Sequence, residues 1–187
     1  MEHHDKKRKA DTSSFLSDSE VESIHSWVDK FGKNWFKTSL HKKYDAKKAL
    51  KLNYKIIGFG FNRLVYDLNN GYVLKVAVSP EGYISNENEY DIYRNCDKQL
   101  KGYLCPVIER GHGWIVMKKM KTSLIRAAMD TDKLILLQLT FLKHGIIPID
   151  LRLANVAFTE ENEMVAVDYG LFTTGGKTPL RFLAKLL

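Results

Sequence analysis

Residues 149–170, IDLRLANVAFTEENEMVAVDYG, set three polar side chains at the ends of apolar segments. Asp150 and Asn155 are five apart. Asp168 follows thirteen residues after Asn155, directly behind the strand-like stretch MVAV and ahead of Tyr169-Gly170. All three carry side-chain oxygens, which accept hydrogen bonds from hydroxyls and ligate hard cations. Chemistry of that kind needs its oxygen donors held at the edge of a packed scaffold. Further upstream, GFGFNRLV (58–65) carries Gly58 and Gly60 in a strand-rich region. Without Cβ atoms, a hairpin there can bring backbone N–H groups close to a phosphate.

The elements that would position these residues follow from periodicity. Residues 1–14, MEHHDKKRKADTSS, have no apolar period and read as a disordered basic tail. Order begins with LSDSEV, in which Ser17 and Glu20 form a capping box and Leu16 and Val21 a hydrophobic staple. Val21, Ile24, Val28, Phe31 and Trp35 then share one helical face. Residues 15–52 are therefore a helical, lysine-rich extension whose apolar side needs the following domain to pack on. From residue 53 the pattern turns to strands. NYKIIGFGF and RLVYDL come first, then the Asn70-Gly71 hairpin signal, then YVLKVAV. Ser79-Pro80 opens a helix through NENEYDIYRNC. YLCPVIER and GWIVMKKM are two further strands around Gly111-His112-Gly113. A short helix near 122–129 precedes a long one from Thr131 to Lys143, stopped by Gly145 and Pro148. TPLRFLAKLL, capped by Thr178, reads as a last helix. The class is α+β in two unequal halves, with no internal repeat.

This order and these residues resemble the protein kinase fold, bilobal, with a β-rich N-lobe and a reduced, mainly helical C-lobe. The resemblance covers roughly residues 53–170 and divides 53–187 into an N-lobe (53–120) and a C-lobe (121–187). Gly58, Gly60 and Val65 match the glycine-rich loop, and Lys75 in YVLK matches the lysine that holds the α- and β-phosphates. Glu89 matches the glutamate paired with that lysine, chosen over Glu87 because Ile92 and Tyr93 follow it at helical spacing. Asp150 and Asn155 reproduce the D-x-x-x-x-N of the catalytic loop, and Asp168-Tyr169-Gly170 stands where the family has D-F-G. The resemblance implies that Asp150 orients a substrate hydroxyl and that Asn155 and Asp168 hold Mg²⁺. It implies that Arg152 steadies the transferring phosphoryl group. Met117 would be the gatekeeper, with the backbone of Lys118, Lys119 and Met120 meeting the adenine of ATP. Taken singly each element is ordinary; five in the right order are specific.

The departures from the pattern are equally definite. Arg63 stands at the third glycine of the loop, and Pro148 and Ile149 replace the His-Arg before the catalytic aspartate. The arginine that reads a phosphorylated activation loop is thus missing, which argues against switching by that route. Seventeen residues follow Gly170 and contain no A-P-E element, so the expectation is a lower lobe without a peptide-docking platform. Three functions fit: a compact ATP- and Mg²⁺-dependent phosphotransferase acting on a hydroxyl, a pseudokinase serving as a nucleotide-binding or interaction module, or a kinase-shaped platform for nucleic acid or an acidic partner. The first is favoured by the full set of Lys75, Glu89, Asp150, Asn155 and Asp168.

Composition bounds the rest. Hydrophobic residues make up 44% and charged ones 27%, enough to bury a core. The net charge of +7 is concentrated in 29–55, where nine lysines face Asp29 and Asp45. With Phe31, Trp35, Phe36 and Tyr44 interleaved, this belt reads either as a solvated lysine face whose aromatics point into the core or as a binding face, and a protein substrate or partner would dock through it or through the N-terminal helix. Nucleic acid is the less favoured ligand, since no nucleic-acid motif accompanies it. Apolar surface left by a short lower lobe calls for a cover, either a partner or a second copy. The longest apolar run, LILLQLTFL, is broken by Gln138 and Thr140 and is too short to span a bilayer. No secretory signal is visible, and Cys96 and Cys105 have no metal or redox spacing. The expected location is the cytoplasm, or the nucleus if KKRK acts as an address.

Overall fold

The computed structural model of the protein describes residues 12–31, 39–122 and 129–174. Its frame is an antiparallel sheet of Lys55–Phe59 (β1), Arg63–Asp67 (β2), Tyr72–Ala77 (β3), Val107–Gly111 (β4) and Trp114–Lys118 (β5), in the order β1-β2-β3-β5-β4. Period-two alternation gives this sheet two apolar faces. Leu64 and Tyr66 of β2, Leu74 and Val76 of β3, and Trp114 and Val116 of β5 build one cluster. Val65, Val73, Ile115 and Met117, their neighbours in sequence, build the other. Both faces must be covered, and the chain supplies a cover for each.

The outer face is covered by the amino-terminal extension, Asp18–Val28 (α1) and Ser39–Leu50 (α2). At the start of α1 the Glu20 carboxylate accepts the Ser17 N–H at 2.8 Å, which is the returning half of the capping box. Val21, Ile24, Trp27 and Val28 are buried against the sheet, and the Trp27 indole N–H donates to the Ala77 carbonyl at 3.1 Å. Gly113, at φ +84°, turns β4 into β5 beneath this helix; a Cβ there would lie 2.3 Å from Val28 Cγ2, so only glycine fits. α1 ends at Val28 with Asp29 as its C-cap, one turn short of Phe31, whose ring meets Trp27 edge-on at 6.2 Å. Trp35, assigned from sequence to the same face, lies outside the described residues. α2 has no counterpart of its own in the sequence reading; it buries Ala46 and Leu50 and receives the Ser23 hydroxyl on the Leu50 carbonyl at 2.8 Å. Ser13 and Ser14, assigned from sequence to the tail, both donate to the Glu109 carboxylate, at 2.8 and 3.0 Å.

The inner face is covered by Pro80–Asn95 (α3) and the lower half. Ser79 caps α3 by accepting the Gly82 N–H at 3.3 Å, with Pro80 opening the helix. After a 3-10 turn at Lys98–Tyr103, the lower half consists of Thr131–Lys143 (α4) and two small strand pairs. Ile146–Ile147 (β6) pairs with Thr173–Thr174 (β9), and Val156–Phe158 (β7) pairs with Met164–Ala166 (β8). Phe141, Tyr169 and Phe172 pack ring against ring where these elements meet. The helix expected near 122–129 and the one from Thr178 fall largely or wholly outside the described residues. α4 is apolar on both sides: Leu134, Leu137 and Phe141 face inward, while Ile135, Leu136, Leu139 and Leu142 are exposed. No helix among the described residues is long and apolar enough to cross a membrane. Both cysteines are free thiols, and burial pushes Cys105 up to about 12, so it stays protonated.

Trp27 carries the largest apolar surface of α1 and its only described bond to a strand carbonyl. Trp27→Ala is expected to destabilise the fold by about 3–5 kcal/mol, measured by urea denaturation. An unchanged midpoint would mean that α1 lies outside the cooperative unit.

Candidate functional site

A hairpin register brings the metal-type residues together. Val156 pairs with Ala166, so the residues flanking β7 and β8, Asn155 and Val167-Asp168, meet at one end of the hairpin. The Val167 N–H donates to the Asn155 carbonyl at 2.9 Å. Asn155 also reaches back: its Nδ2 donates to the Asp150 carbonyl at 2.9 Å and to Asp150 Oδ2 at 3.1 Å. Asp150 sits at φ +62°, in the left-handed region that aspartate tolerates better than most residues. Its carboxylate is 44% exposed, and Arg152 Nε approaches Oδ1 at 3.2 Å. Asp150 therefore presents an oriented carboxylate to solvent, its backbone held by Asn155 and one oxygen shared with Arg152.

Lys75 and Glu89 meet on the inner face. Lys75 Nζ donates to both Glu89 oxygens, at 3.1 and 3.0 Å, and to the Val167 carbonyl at 2.7 Å. Glu89 is fully buried and also accepts the Tyr169 N–H at 3.1 Å. Glu87, two residues earlier, points elsewhere and pairs with Arg110 at 2.6 Å. The segment behind Asp168 is pinned to α3 as well: Asn88 Nδ2 donates to the Gly170 and Phe172 carbonyls at 2.9 and 2.7 Å. A Cβ on Gly170 would meet Ser85 Cβ at 2.7 Å, so this close approach requires glycine.

Arg63 is the residue whose place in the site was missed. Its guanidinium joins Glu89 Oε1 at 3.1 Å, Asn86 Oδ1 at 3.2 Å and Asp168 Oδ1 at 2.5 Å. The signal was present in the alternation of β2, which sets Arg63 with Val65 on the face that carries Lys75. Burial by itself raises the Asp168 carboxyl, but the Arg63 and Lys75 charges outweigh it and hold the group well below the usual carboxylate range.

Above this cluster opens a cleft of about 800 Å³, within the range of small-molecule sites. Gly58, Val65, Lys75, Met117, Asn155 and Asp168 all line it. Lys118, Lys119 and Met120 line it too, but their backbones are not equally free. The Lys118 N–H donates to the Pro106 carbonyl at 3.0 Å, and its own carbonyl accepts the Cys105 thiol at 3.1 Å. The Lys119 N–H donates to Gly71 at 2.9 Å, and its ammonium pairs with Asp67 at 2.6 Å. Met120 is thus the residue of this segment whose N–H has no protein partner among the described residues. Gly60 closes the loop hairpin, its N–H donating to the Arg63 carbonyl at 3.0 Å.

Asn155 and Asp168 are the residues that could hold a hard cation. The Asn155 amide nitrogen is committed to Asp150, which leaves the amide oxygen for a metal, and Asp168 Oδ2 is not held by Arg63. No group of three or more His, Cys, Asp or Glu able to hold a metal exists among the described residues. Two protein oxygens completed by phosphate and water is the coordination that Mg²⁺ favours.

No family model and no curated protein matches this chain. Solved structures do. WbdD in complex with the kinase inhibitor LY294002 is 17% identical with a TM-score of 0.50, over 74% of this chain and 39% of that one. A structure described as the bifunctional kinase-methyltransferase WbdD is 18% identical with a TM-score of 0.49, over 67% and 33%. Cex1p is 17% identical with a TM-score of 0.50, over 70% and 28%. The chain thus spans between 28% and 39% of the length of these structures. The likeness is one of fold: a mixed α/β, kinase-like fold with a reduced lower half.

Two predictions come from the cluster. Glu89→Gln leaves Lys75 and Arg63 buried without their shared anion and is expected to cost about 3–5 kcal/mol by chemical denaturation. The second concerns pH. A carboxyl lowered in the folded state contributes stability in full above its unfolded value near ~4, and loses it as pH falls toward the folded one. Melting temperature should therefore fall less steeply below about pH 5 in Asp168→Asn than in the wild type. Parallel acid limbs would count against the Arg63–Asp168 pair.

Proposed function

We propose that the chain is an ATP- and Mg²⁺-dependent phosphotransferase, a small serine/threonine protein kinase-like enzyme that moves the γ-phosphoryl group to a hydroxyl. One observation carries this reading: Lys75, Asn155 and Asp168 line a single cleft together with Gly58 of the glycine hairpin, with Glu89 buried behind Lys75 and Asp150 hydrogen-bonded to Asn155. Lys75, fixed by Glu89 and Val167, is an immobile ammonium placed for the α- and β-phosphates. Asp150 accepts the hydrogen bond of an acceptor hydroxyl and aims its oxygen at the phosphorus, with Asn155 holding the backbone that presents it. Arg152, 67% exposed and paired with Asp150, would turn from it to the transferring group. Magnesium on Asp168 and Asn155 would supply charge neutralisation of the phosphates. Most of the acceleration comes from positioning and electrostatics.

A second reading has its own observation. Arg63 occupies one oxygen of Asp168, the arrangement expected of a pseudokinase that binds nucleotide without transferring phosphate. Under either reading a protein partner would dock on the lysine belt of 29–55. The apolar face of α1 is spent on the sheet, so the contact falls to the lysines. The exposed face of α4 is the surface that a partner or a second copy would cover.

Incubation with γ-labelled ATP and Mg²⁺, alone and with lysate, separates the two. Label on the protein or on a lysate protein, abolished in Lys75→Ala and in Asp168→Ala, is the expected result. Near-wild-type transfer by either variant would remove that residue from the assignment. No label, with a thermal shift on adding ATP and Mg²⁺, identifies the pseudokinase instead.

A further inference from the structure

β2 begins on Arg63, where the glycine-loop pattern has its third glycine. The side chain is 8% exposed, and its backbone is not free to withdraw. The Arg63 carbonyl closes the hairpin by accepting the Gly60 N–H at 3.0 Å. The neighbouring Asn62 carbonyl accepts the Val78 N–H at 2.8 Å, and its amide oxygen accepts the Ser79 hydroxyl at 3.0 Å. α3 presses on the same point, since a Cβ on Gly82 would lie 2.0 Å from the Asn62 carbonyl oxygen. The hairpin tip is thus braced to the start of α3, and the movable part of Arg63 is its side chain.

The three acceptors of that side chain are not equivalent. Glu89 already has both Lys75 contacts and the Tyr169 N–H, and Asn86 also donates to the Gly113 carbonyl at 3.1 Å. Asp168 has Arg63 as the one cation within hydrogen-bond distance among the described residues. Arg63 can release Asp168 and remain anchored on Glu89 and Asn86, beneath the glycine hairpin. Release of Arg63 leaves the half-buried Asp168 carboxylate with no cation within hydrogen-bond distance, only the more distant Lys75 charge, which is costly unless another cation takes its place.

Building on the reading of the cleft as a nucleotide–metal site, we propose that Arg63 gates the metal: its guanidinium holds Asp168 in place of a divalent cation, and the cation competes with it for that carboxylate. Two cations on one carboxylate repel, so metal binding and the Arg63–Asp168 contact weaken each other, reciprocally and by the same factor. Arg63 is therefore a positioning residue that sets how much divalent metal the site requires. Once displaced, it presents its charge under the hairpin.

The test is a Mg²⁺ titration of the binding of a fluorescent, non-hydrolysable ATP analogue to the full chain, for wild type, Arg63→Met and Arg63→Lys. Arg63→Met keeps the length and apolar stem but removes the charge. Its half-saturating Mg²⁺ concentration should fall about tenfold, with a smaller change in affinity at saturating metal. Arg63→Lys keeps a cation beside Glu89 but cannot bridge to Asp168 as well; it should shift in the same direction by less, and it serves alone if Arg63→Met does not fold. Unchanged or raised metal requirement in the folded variants overturns the gate and leaves the nucleotide site standing. Failure of the wild type to bind the analogue at any metal concentration overturns both.

Discussion

The structure depends on a buried network of two cations and two anions, Lys75 and Arg63 with Glu89 and Asp168. It joins four separate pieces of chain: β2, β3, α3 and the exit of β8. Each side chain comes from an element with its own reason to exist, and the network fixes how those elements sit together. Ion pairs of this kind add little net stability, because desolvation offsets their attraction. Removing one member is costly all the same, since the others stay buried without a partner. The network thus selects one arrangement of sheet, helix and hairpin over nearby alternatives that would strand a charge.

Such a network needs rigid walls, and the amino-terminal extension supplies one. A kinase-like sheet with an uncovered outer face would leave Leu64, Tyr66, Leu74, Val76, Trp114 and Val116 in water. α1 and α2 bury that face, and Gly113 lets α1 approach as closely as it does. On the inner face, Gly82 and Gly170 allow α3 to touch the loop tip and the Asp168-Tyr169-Gly170 segment. α3 is thereby held at Gly82 and Ser85, in its amino-terminal half ahead of Glu89, which has little freedom to move away from Lys75.

Much of this was legible because it is local. The thirteen-residue spacing from Asn155 to Asp168 is that of two short strands and a turn, which returns the chain to its starting point. The ion pair falls on Glu89 rather than Glu87 because helical periodicity already separates an inward from an outward residue. The capping box at Ser17 and the limits of α4 are likewise written in neighbouring residues. What escaped was long-range or compositional. Arg63 showed in the sequence as a missing glycine on the inward face of β2, but its partners lie in α3 and behind β8. α2 is rich in lysine and weakly amphipathic, so its helix depends on packing against α1. Ser13 and Ser14 looked like tail because nothing nearby reveals that Glu109 would receive them.

The departures from the kinase pattern form a consistent set. With Pro148 and Ile149 ahead of Asp150, no arginine stands there to sense a phosphorylated loop. Asp150 is oriented instead by Asn155, a contact within the same turn that needs no signal from outside. The Tyr169 ring is buried and its hydroxyl donates to the Cys105 carbonyl at 2.7 Å, which fixes the segment behind Asp168 in one position. A site whose loops are tied down in this way has few movable parts. Among the described residues, the Arg63 side chain is a charged group of this cluster with other partners on hand, since Glu89 and Asn86 would still hold it if it left Asp168.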